Sequence, residues 1–280
     1  MPLYGIRYGV GLHSKLKIVA LSILEIVPWE LRKRHARLGR VINYLIPDFS
    51  DVIVEKDGFI FHLIDHESIY LVVFHEDWMK KYLKISEGDV FVDIGAHVGR
   101  YSILASRKAS KVIAIEADPN IYHRLLMNIE LNNAENIDAV NEAAWHREET
   151  LKFHRGDFSG HGTLKEGLPD RRYTGNIQIQ AEATDTILRS LNVPGVDWVK
   201  IDVEGAEHEV LRGLKETLEA HRARLIVELM KPNVDKVLAY MNDMGYDATP
   251  IPESEAQYMI YYLFSPNNTK QKYYHGSDPR

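Results

Sequence analysis

The chain of 280 residues contains no cysteine. This absence excludes disulfide bonds, zinc–thiolate centres, iron–sulfur clusters and cysteine nucleophiles, and nothing points to an oxidising compartment. Long apolar runs are also lacking: the longest near the N-terminus, Ile18–Val27, is about half of the length that spans a bilayer, and Glu25 interrupts it. Lys15 and Lys17 precede it as in a signal peptide, but VPWELRKR follows where a small-residue cleavage site would stand. We therefore expect a cytoplasmic protein.

A strong net charge is lacking as well. The formal charge is −6 and the pI about 6.1, so no global field recruits nucleic acid, and we do not expect nucleic acid as a partner. The one basic segment is Arg32–Arg40, which most often means a solvated helix face. If functional, it suits an acidic substrate, such as a phosphorylated or nucleotide-linked sugar, or an anionic membrane surface. The apolar run Ile18–Val27 is compatible with an oligomer contact instead.

The sequence pattern divides the chain into four regions. Residues 1–50 predict a helical extension that Pro28 breaks in two. Residues 51–88 predict a β-hairpin, with a turn at Lys56-Asp57-Gly58, and a helix over Ile69–Leu83 that leads into the core. Residues 89–266 form the main domain, and residues 267–280 a loosely ordered tail.

In the main domain, strands alternate with helices of 10–15 residues. This alternation predicts a mostly parallel, doubly wound sheet, whose ligands bind beyond the carboxyl ends of the strands. NIDAVNEAA is predicted as one strand, the third, and residues 206–220 as one helix. Two closing segments, YDATPI and YMIYYLFS, predict a terminal strand pair.

The first core strand ends in VDIGAHVGRYS, where Gly95 and Gly99 stand in the turn into a helix. The spacing is G-x-x-x-G rather than the G-x-G-x-x-G of dinucleotide sites. Asp93, inside the strand, would repel a phosphate but attract an ammonium group. The loop therefore favours a zwitterionic ligand over a nicotinamide dinucleotide.

Residues at two further strand ends predict the other parts of the ligand. Glu116 ends the second strand, where a carboxylate can accept the hydroxyls of a ribose. Asn141, Glu142 and Ala143 end the third, beside the place of an adenine, although small residues there also read as plain packing. A zwitterion, a ribose and an adenine together describe S-adenosylmethionine, and hence methyl transfer.

With VKIDVEGAEHEVLRG added, the order and spacing of VDIGAHVGRYS, AIEADP and VNEAAW resemble the FkbM-type family of S-adenosylmethionine-dependent methyltransferases. The element K-I-D-V-E-G-x-E, at Lys200–Glu207, is its most recognisable signature, and the resemblance covers about residues 51–226. It implies a Rossmann-like class I methyltransferase fold, with a mostly parallel seven-stranded sheet and an antiparallel terminal strand. It also implies O-methylation of sugars, polyketides or other small molecules. The sequence departs from the family at His97, where Asn is at least as usual, and around FSGHGTL.

We predict these cofactor-binding residues: Asp93, Gly95, Ala96, Gly99, Tyr101, Ser102, Glu116, Ala117, Asn141, Glu142 and Ala143. For Tyr101, packing of the helix is an equal alternative.

The acids of the signature fall into two groups. Glu207 and Glu209 need only the favourable field of a helix start. Asp202 and Glu204 precede Gly205 at a strand end, and we predict that they orient or deprotonate an acceptor hydroxyl. A divalent metal is possible but not favoured, because two carboxylates are weak evidence and no spacing supports Asp157 or His161 as further ligands.

His161, between two glycines in a loop that can cover the substrate, is a third catalytic candidate. The predicted acceptor is a small molecule or a glycan. The alternatives are a tRNA or protein methyltransferase, since NIELNNAENI is similar to helices in RNA methyltransferases, and a binding module that has lost the chemistry.

Overall fold

The computed structural model describes residues 3–26, 51–74, 77–168 and 172–267. The basic segment Arg32–Arg40, the helix break at Pro28 and nearly all of the predicted tail lie outside these residues. Within the described ranges, no helix combines the length and the apolar character needed to cross a membrane.

An N-terminal helix and a hairpin precede the core. Helix α1 is Gly11–Ile26, and strands β1, Val52–Lys56, and β2, Phe59–Leu63, pair antiparallel. Asp57 and Gly58 have φ angles of 60° and 79°, as a type I′ hairpin turn requires. Alternate residues of both strands are buried, so one face of the hairpin packs on the core. The hairpin predicted from the sequence is present.

The predicted single helix over Ile69–Leu83 is wrong. The chain forms helix α2, His66–Ile69, a π-helical turn over Tyr70–Phe74 and a further short helix α3, Met79–Tyr82. The first helix begins earlier in the chain than predicted, at His66, because Asp65 and Ser68 cap its start. Oδ1 of Asp65 accepts a hydrogen bond from the Ser68 amide at 2.8 Å, and Oγ of Ser68 accepts one from the Asp65 amide at 3.1 Å.

The core alternates strands and helices as predicted. Its strands are β3 Val90–Ile94, β4 Lys111–Ile115, β5 Ile137–Val140, β6 Ala143–Trp145, β7 Glu149–Gly156, β8 Tyr173–Ala183, β9 Trp198–Ile201, β10 Arg224–Met230, β11 Tyr246–Pro250 and β12 Met259–Pro266. Its helices are α4 Arg100–Ser106, α5 Pro119–Leu131, α6 Thr184–Ser190, α7 Glu207–Gly213, α8 Lys215–His221 and α9 Val234–Asp243.

The main sheet has seven strands in the order β11-β12-β10-β9-β3-β4-β5, and β12 alone is antiparallel to the others. This confirms the Rossmann-like sheet. Residues alternate between the two faces: Phe91 belongs to the core under the hairpin, while Val90 and Val92 belong to the core under α6–α9. Helices therefore cover both faces, and the edge formed by the carboxyl ends of the strands is where a ligand can bind.

Two element boundaries differ from the prediction. NIDAVNEAA is not one strand: β5 ends at Val140, and β6 joins a second sheet in the order β6-β8-β7. The side chain of Asn141 donates to the carbonyls of Glu116 and Ala117, which draws the chain away from β5. The helix predicted over residues 206–220 is two helices, because Gly213 lies against the Trp145 carbonyl, where a Cβ would come within 1.7 Å of that oxygen.

Candidate active site

A cavity lies at the carboxyl ends of β3, β4, β9 and β10. Its floor is the loop between β3 and α4, and residues of α2 and of the loop after β7 form its roof. Polar and charged side chains at its wall include Glu67, Arg100, Glu116, Glu142, Ser159, His161, Lys200, Asp202, Glu204, Glu228 and Tyr261. This is the edge at which doubly wound sheets bind ligands.

The glycine loop is fixed to the neighbouring strand ends. The amides of Gly95 and Ala96 donate to the carbonyl of Ile115, at 2.9 and 3.0 Å. Gly95 has a φ of 74°, and a Cβ there would lie 1.8 Å from the carbonyl oxygen of Asp202. Only glycine permits both this conformation and this approach, so the loop between β3 and α4 lies directly beside the chain that leaves β9.

Glu116 ends β4 at the cavity wall. Its Oε2 accepts the His97 amide and its Oε1 accepts the Asp118 amide, both at 2.9 Å. Burial raises the pKa of this carboxyl, although the two backbone amides and His97 favour its ionised form. Each oxygen keeps a lone pair for a donor in the cavity.

Four predicted cofactor residues do not line the cavity. Asp93 is fully buried below it, and Ser102 donates to its Oδ2 at 2.6 Å. Gly99 packs against Leu125 of α5, and Asn141 is used in holding the end of β4. Their direct contact with a cofactor therefore stays a prediction, and the structure gives Asp93, Ser102 and Asn141 hydrogen bonds that support the loops around the cavity. By contrast, Gly95, Ala96, Tyr101, Glu116, Ala117, Glu142 and Ala143 all lie at the cavity wall.

A lysine takes the place expected for a ligand ammonium beside Asp93. Nζ of Lys200 lies 3.5 Å from Oδ1 of Asp93 and 3.3 Å from Oδ2 of Asp202. Lys200 is itself buried, so it links the acid below the floor to the acid at the wall. Burial raises the pKa of Asp93, and Lys200 opposes this rise.

Asp202 and Glu204 both lie at the cavity wall, as the strand-end position predicts. The hydroxyl of Tyr261 donates to Oδ2 of Asp202 at 3.0 Å. Burial acts to raise the pKa of Asp202, but Lys200 and the hydrogen bonds to Glu228 and Tyr261 outweigh it and hold that pKa below its usual value. Asp202 is therefore an ionised acceptor.

Glu228 is a site residue that the sequence analysis missed. It lies in β10, is 3% exposed, and its Oε2 has no hydrogen-bond partner. Burial, together with the charges of Asp202 and Glu204, raises its pKa well above the usual value. The available signal was a lone acid in the apolar run of LIVELM, because a buried carboxylate is costly unless it is paired or used.

Glu207 has a larger role than a helix-start charge. It is fully buried, and its carboxylate accepts the Gly205 amide at 2.7 Å and the Asn233 side chain at 2.8 Å. It thus closes the turn after Glu204. Glu209 remains at the helix start, where Lys165 and Lys236 lie within 4.0 Å of it.

His161 belongs to a short loop, Ser159–Gly162, which we call the roof loop. Its Nε2 lies 2.9 Å from Oε1 of Glu67, and its Nδ1 lies 3.2 Å from Oδ1 of Asp157. Ser159 donates to Asp65 through both its amide and its hydroxyl, at 2.8 and 3.0 Å. The residues that begin α2 therefore hold the roof loop over the cavity.

The seven-stranded sheet, its antiparallel strand and the position of the cavity define a Rossmann-like fold with a ligand site at its strand ends. The sequence model described as "Methyltransferase FkbM domain" matches residues 93–248, more than half of the chain. The chain belongs to this family and is a methyltransferase, as the resemblance of the motifs implies.

Individual relatives are distant. The chain is 27% identical over 218 residues to the methyltransferase sdnD of Sordaria araneosa, covering 66% of this chain and 84% of that protein. It is 28% identical over 134 residues to the hexuronic acid methyltransferase AglP of Haloferax volcanii, covering 48% and 53%. The crystal structure of an FkbM methyltransferase from Methylobacillus flagellatus KT is similar with a TM-score of 0.48 and 18% identity, over 67% of this chain and 46% of that one.

Proposed function

We propose that the chain is an S-adenosylmethionine-dependent O-methyltransferase that acts on a hydroxyl of a small-molecule or glycan-like acceptor. The observation that carries this proposal is the arrangement of carboxylates: Glu116 follows β4 on one side of the cavity, and Asp202 and Glu204 follow β9, on the other side of β3. Glu116 suits the ribose of a nucleoside, and Asp202 and Glu204 suit the hydroxyl of an acceptor.

The residues at the wall fit the donor. The lone pairs that Glu116 keeps are suited to two ribose hydroxyls. Ala117, Ala143 and Ala144 are small, which leaves room for a flat ring beside the ends of β4 and β5. When bound, S-adenosylmethionine supplies a methyl group already activated on a sulfonium, so the work left to the chain is alignment of the acceptor.

On the acceptor side, Asp202 is held by Lys200 and Tyr261 and can accept a hydrogen bond from a hydroxyl. Its lowered pKa makes it a weak base, so we assign it to orientation of the acceptor. Each ring nitrogen of His161 is engaged by a carboxylate, Nε2 by Glu67 and Nδ1 by Asp157, so neither is left directed at an acceptor in the cavity. We therefore assign His161 to positioning of the roof loop rather than to proton abstraction.

The acceptor class draws support from AglP, which is named as a hexuronic acid methyltransferase. A sugar acid or a related glycan is thus the first acceptor to try. The relative sdnD is named only as a methyltransferase, so it does not restrict the acceptor, and other small molecules are also to be tried.

The test has two stages. Isothermal titration is expected to show binding of S-adenosylmethionine and of its demethylated product; if neither binds, the proposal fails. A labelled methyl donor is then offered with a panel of hexuronic acids, other hydroxylated small molecules, tRNA and protein. Transfer to tRNA or protein alone would support those alternatives, and binding without any transfer would support the non-catalytic binding module.

A further inference from the structure

Three carboxylates from two neighbouring strand ends meet at the cavity wall. Asp202 and Glu204 follow β9, and Glu228 lies in the adjacent strand β10. One carboxylate oxygen of each lies within 4.8 Å of those of the other two. The parallel pairing of Ile226 with Lys200 and of Val227 with Ile201 brings Glu228 level with Asp202. The cluster therefore follows from the register of the sheet.

The three carboxylates are close enough for their negative charges to repel one another. Lys200 is the cation beside Asp202, and it also serves Asp93. Tyr261 supplies one neutral hydrogen bond to Asp202. Repulsion among like charges at this spacing is large where water is excluded. A cation or a proton among the three carboxylates would relieve this repulsion.

The buried side chain of Glu228 is a second, independent observation that points to a bound group. Its side chain is almost completely buried, it reaches the cavity wall, and its Oε2 meets no donor. A buried acceptor without a partner is costly, so Oε2 calls for a donor or a cation that the described residues do not supply. A proton shared with Asp202 would satisfy the other oxygen of Glu228 but would leave its Oε2 without a donor among the described residues.

We propose that Asp202, Glu204 and Glu228 bind one divalent cation of the oxygen-preferring class, such as Mg²⁺ or Mn²⁺, at the cavity wall. Oxygens that share such an ion at about 2.0–2.6 Å lie at most about 4–5 Å apart, which agrees with the spread of this cluster. Carboxylates are the ligands that these ions prefer. From the sequence alone a metal site is not favoured, because only Asp202 and Glu204 stand together at one strand end. The fold brings Glu228 to them as a third carboxylate.

Three protein ligands leave coordination positions open toward the cavity. A hydroxyl bound there is polarised and gives up its proton more readily. The proton then passes to water or to a cavity carboxylate as the hydroxyl oxygen takes the methyl group, whose bond to the sulfonium sulfur breaks and leaves the neutral thioether of the demethylated donor. This catalytic consequence depends on the proposed function, whereas the cation site itself does not.

The direct test is Mn²⁺ binding to the full chain without any methyl donor, followed by the electron paramagnetic resonance signal of free Mn²⁺. We expect one site. Loss of an outer-shell partner of a metal site already costs about 10- to 100-fold in affinity, so Glu228→Gln and Glu204→Gln are each expected to weaken binding at least tenfold. Glu255→Gln, which removes the same charge from an exposed pair with Lys231, is the control and is expected to bind as the native chain does.

The site is ruled out if the native chain binds no Mn²⁺ at millimolar concentration, or if Glu228→Gln and Glu204→Gln bind it as tightly as Glu255→Gln does. Because Glu204 is only half-buried, its variant keeps the test valid should Glu228→Gln fail to fold. Titration of S-adenosylmethionine in the presence of EDTA separates the two proposals. Binding of the donor without any Mn²⁺ site refutes the cation site alone, and Mn²⁺ binding without donor binding refutes the proposed function alone.

Discussion

Glu116 is held more firmly than a ligand-binding side chain usually is. Both of its oxygens accept backbone amides, one from the glycine loop and one from the start of α5. Its carboxylate is therefore oriented before any ligand arrives, and little side-chain entropy remains to be lost on binding. A rigid acceptor at this position favours a ligand with two neighbouring hydroxyls.

Replacement of Glu116 is expected to reduce donor affinity. Glu116→Ala removes two hydrogen bonds to a charged acceptor, each worth about 1.5–3 kcal/mol, so the Kd for S-adenosylmethionine is expected to rise by about a hundredfold to ten-thousandfold. Glu116→Gln keeps one acceptor oxygen and is expected to fall in between. Isothermal titration measures both, and Glu130→Ala, an exposed acid of α5, is the control. An unchanged Kd in Glu116→Ala would remove this residue from the ribose role.

Ser102 tests the opposite case, a residue that supports the site without lining it. Ser102→Ala leaves the fully buried Asp93 without its 2.6 Å donor, which is expected to lower the free energy of unfolding by about 1–3 kcal/mol. Urea denaturation measures this loss. Ser106→Ala, on the same helix and half-buried, is the control, with an effect within about 0.5 kcal/mol. Donor affinity is expected to change far less than in Glu116→Ala, and an equal loss would return Ser102 to the cofactor site.

At the scale of elements, the roof loop is held by α2 and its cap. Asp65 caps α2 through Ser68 and accepts two hydrogen bonds from Ser159, so one carboxylate joins both segments. Burial alone would raise the pKa of Asp65, but the bonds from Ser68 and Ser159 and the nearby His97 hold it below the usual value. The cap of a short helix is thus also the anchor of the cavity roof.

Asp65→Asn is expected to loosen the roof loop. The amide group presents one acceptor where the carboxylate presents two, so the Ser159 contacts weaken. Hydrogen–deuterium exchange of a peptide covering the roof loop is expected to accelerate, while exchange in β3 and β9 stays unchanged. Asp138→Asn, which breaks an exposed pair with Lys111, is the control. Equal protection of the loop in both variants would contradict the anchor.

The same residue predicts an acid dependence of stability. The pKa of Asp65 is lower in the folded chain than in the unfolded chain. The stability that its ionised form adds is therefore fully present above the unfolded pKa, about 3.9. It is lost as the pH falls through the folded pKa. The difference in urea midpoint between the native chain and Asp65→Asn is therefore expected to be constant near neutral pH and to shrink below about pH 4. A difference that stays constant down to pH 3 would argue against an ionic role.

The sequence predicts the elements better than it predicts contacts. Period-two apolar strands and the loop at Gly95 are local signals, and the sheet that follows from them is present. The end of β5 depends on where the Asn141 side chain donates, which is a tertiary choice. Glu228 joins Asp202 only through the register of two parallel strands, 26 positions apart in the chain. Ser102 lies just after the glycine loop, but its side chain donates to the buried Asp93. The spacing of residues in the sequence does not tell whether such a side chain faces Asp93 or the cavity.

At the scale of the whole molecule, α1 is part of the packed structure. The Val10 amide donates to the carbonyl of Ile53 at 2.9 Å, and the Ile53 amide donates to Oγ of Ser14 at 3.1 Å. Ile18 is fully buried and belongs to the same apolar core as Val54 of the hairpin. Helix α1 is therefore expected to unfold together with the main sheet.

Ile18→Ala tests this cooperativity. Removing a fully buried isoleucine side chain costs about 2–5 kcal/mol, so the global urea midpoint is expected to fall, with tryptophan fluorescence and far-ultraviolet circular dichroism moving together. Leu12→Ala is the matched control on the same helix, because Leu12 is 73% exposed and its loss is expected to change stability by less than about 0.5 kcal/mol. If Ile18→Ala leaves the main transition in place and only adds an earlier step in circular dichroism, α1 folds as a separate unit. A single shifted transition would instead establish that the N-terminal helix stabilises the sheet that carries the active site.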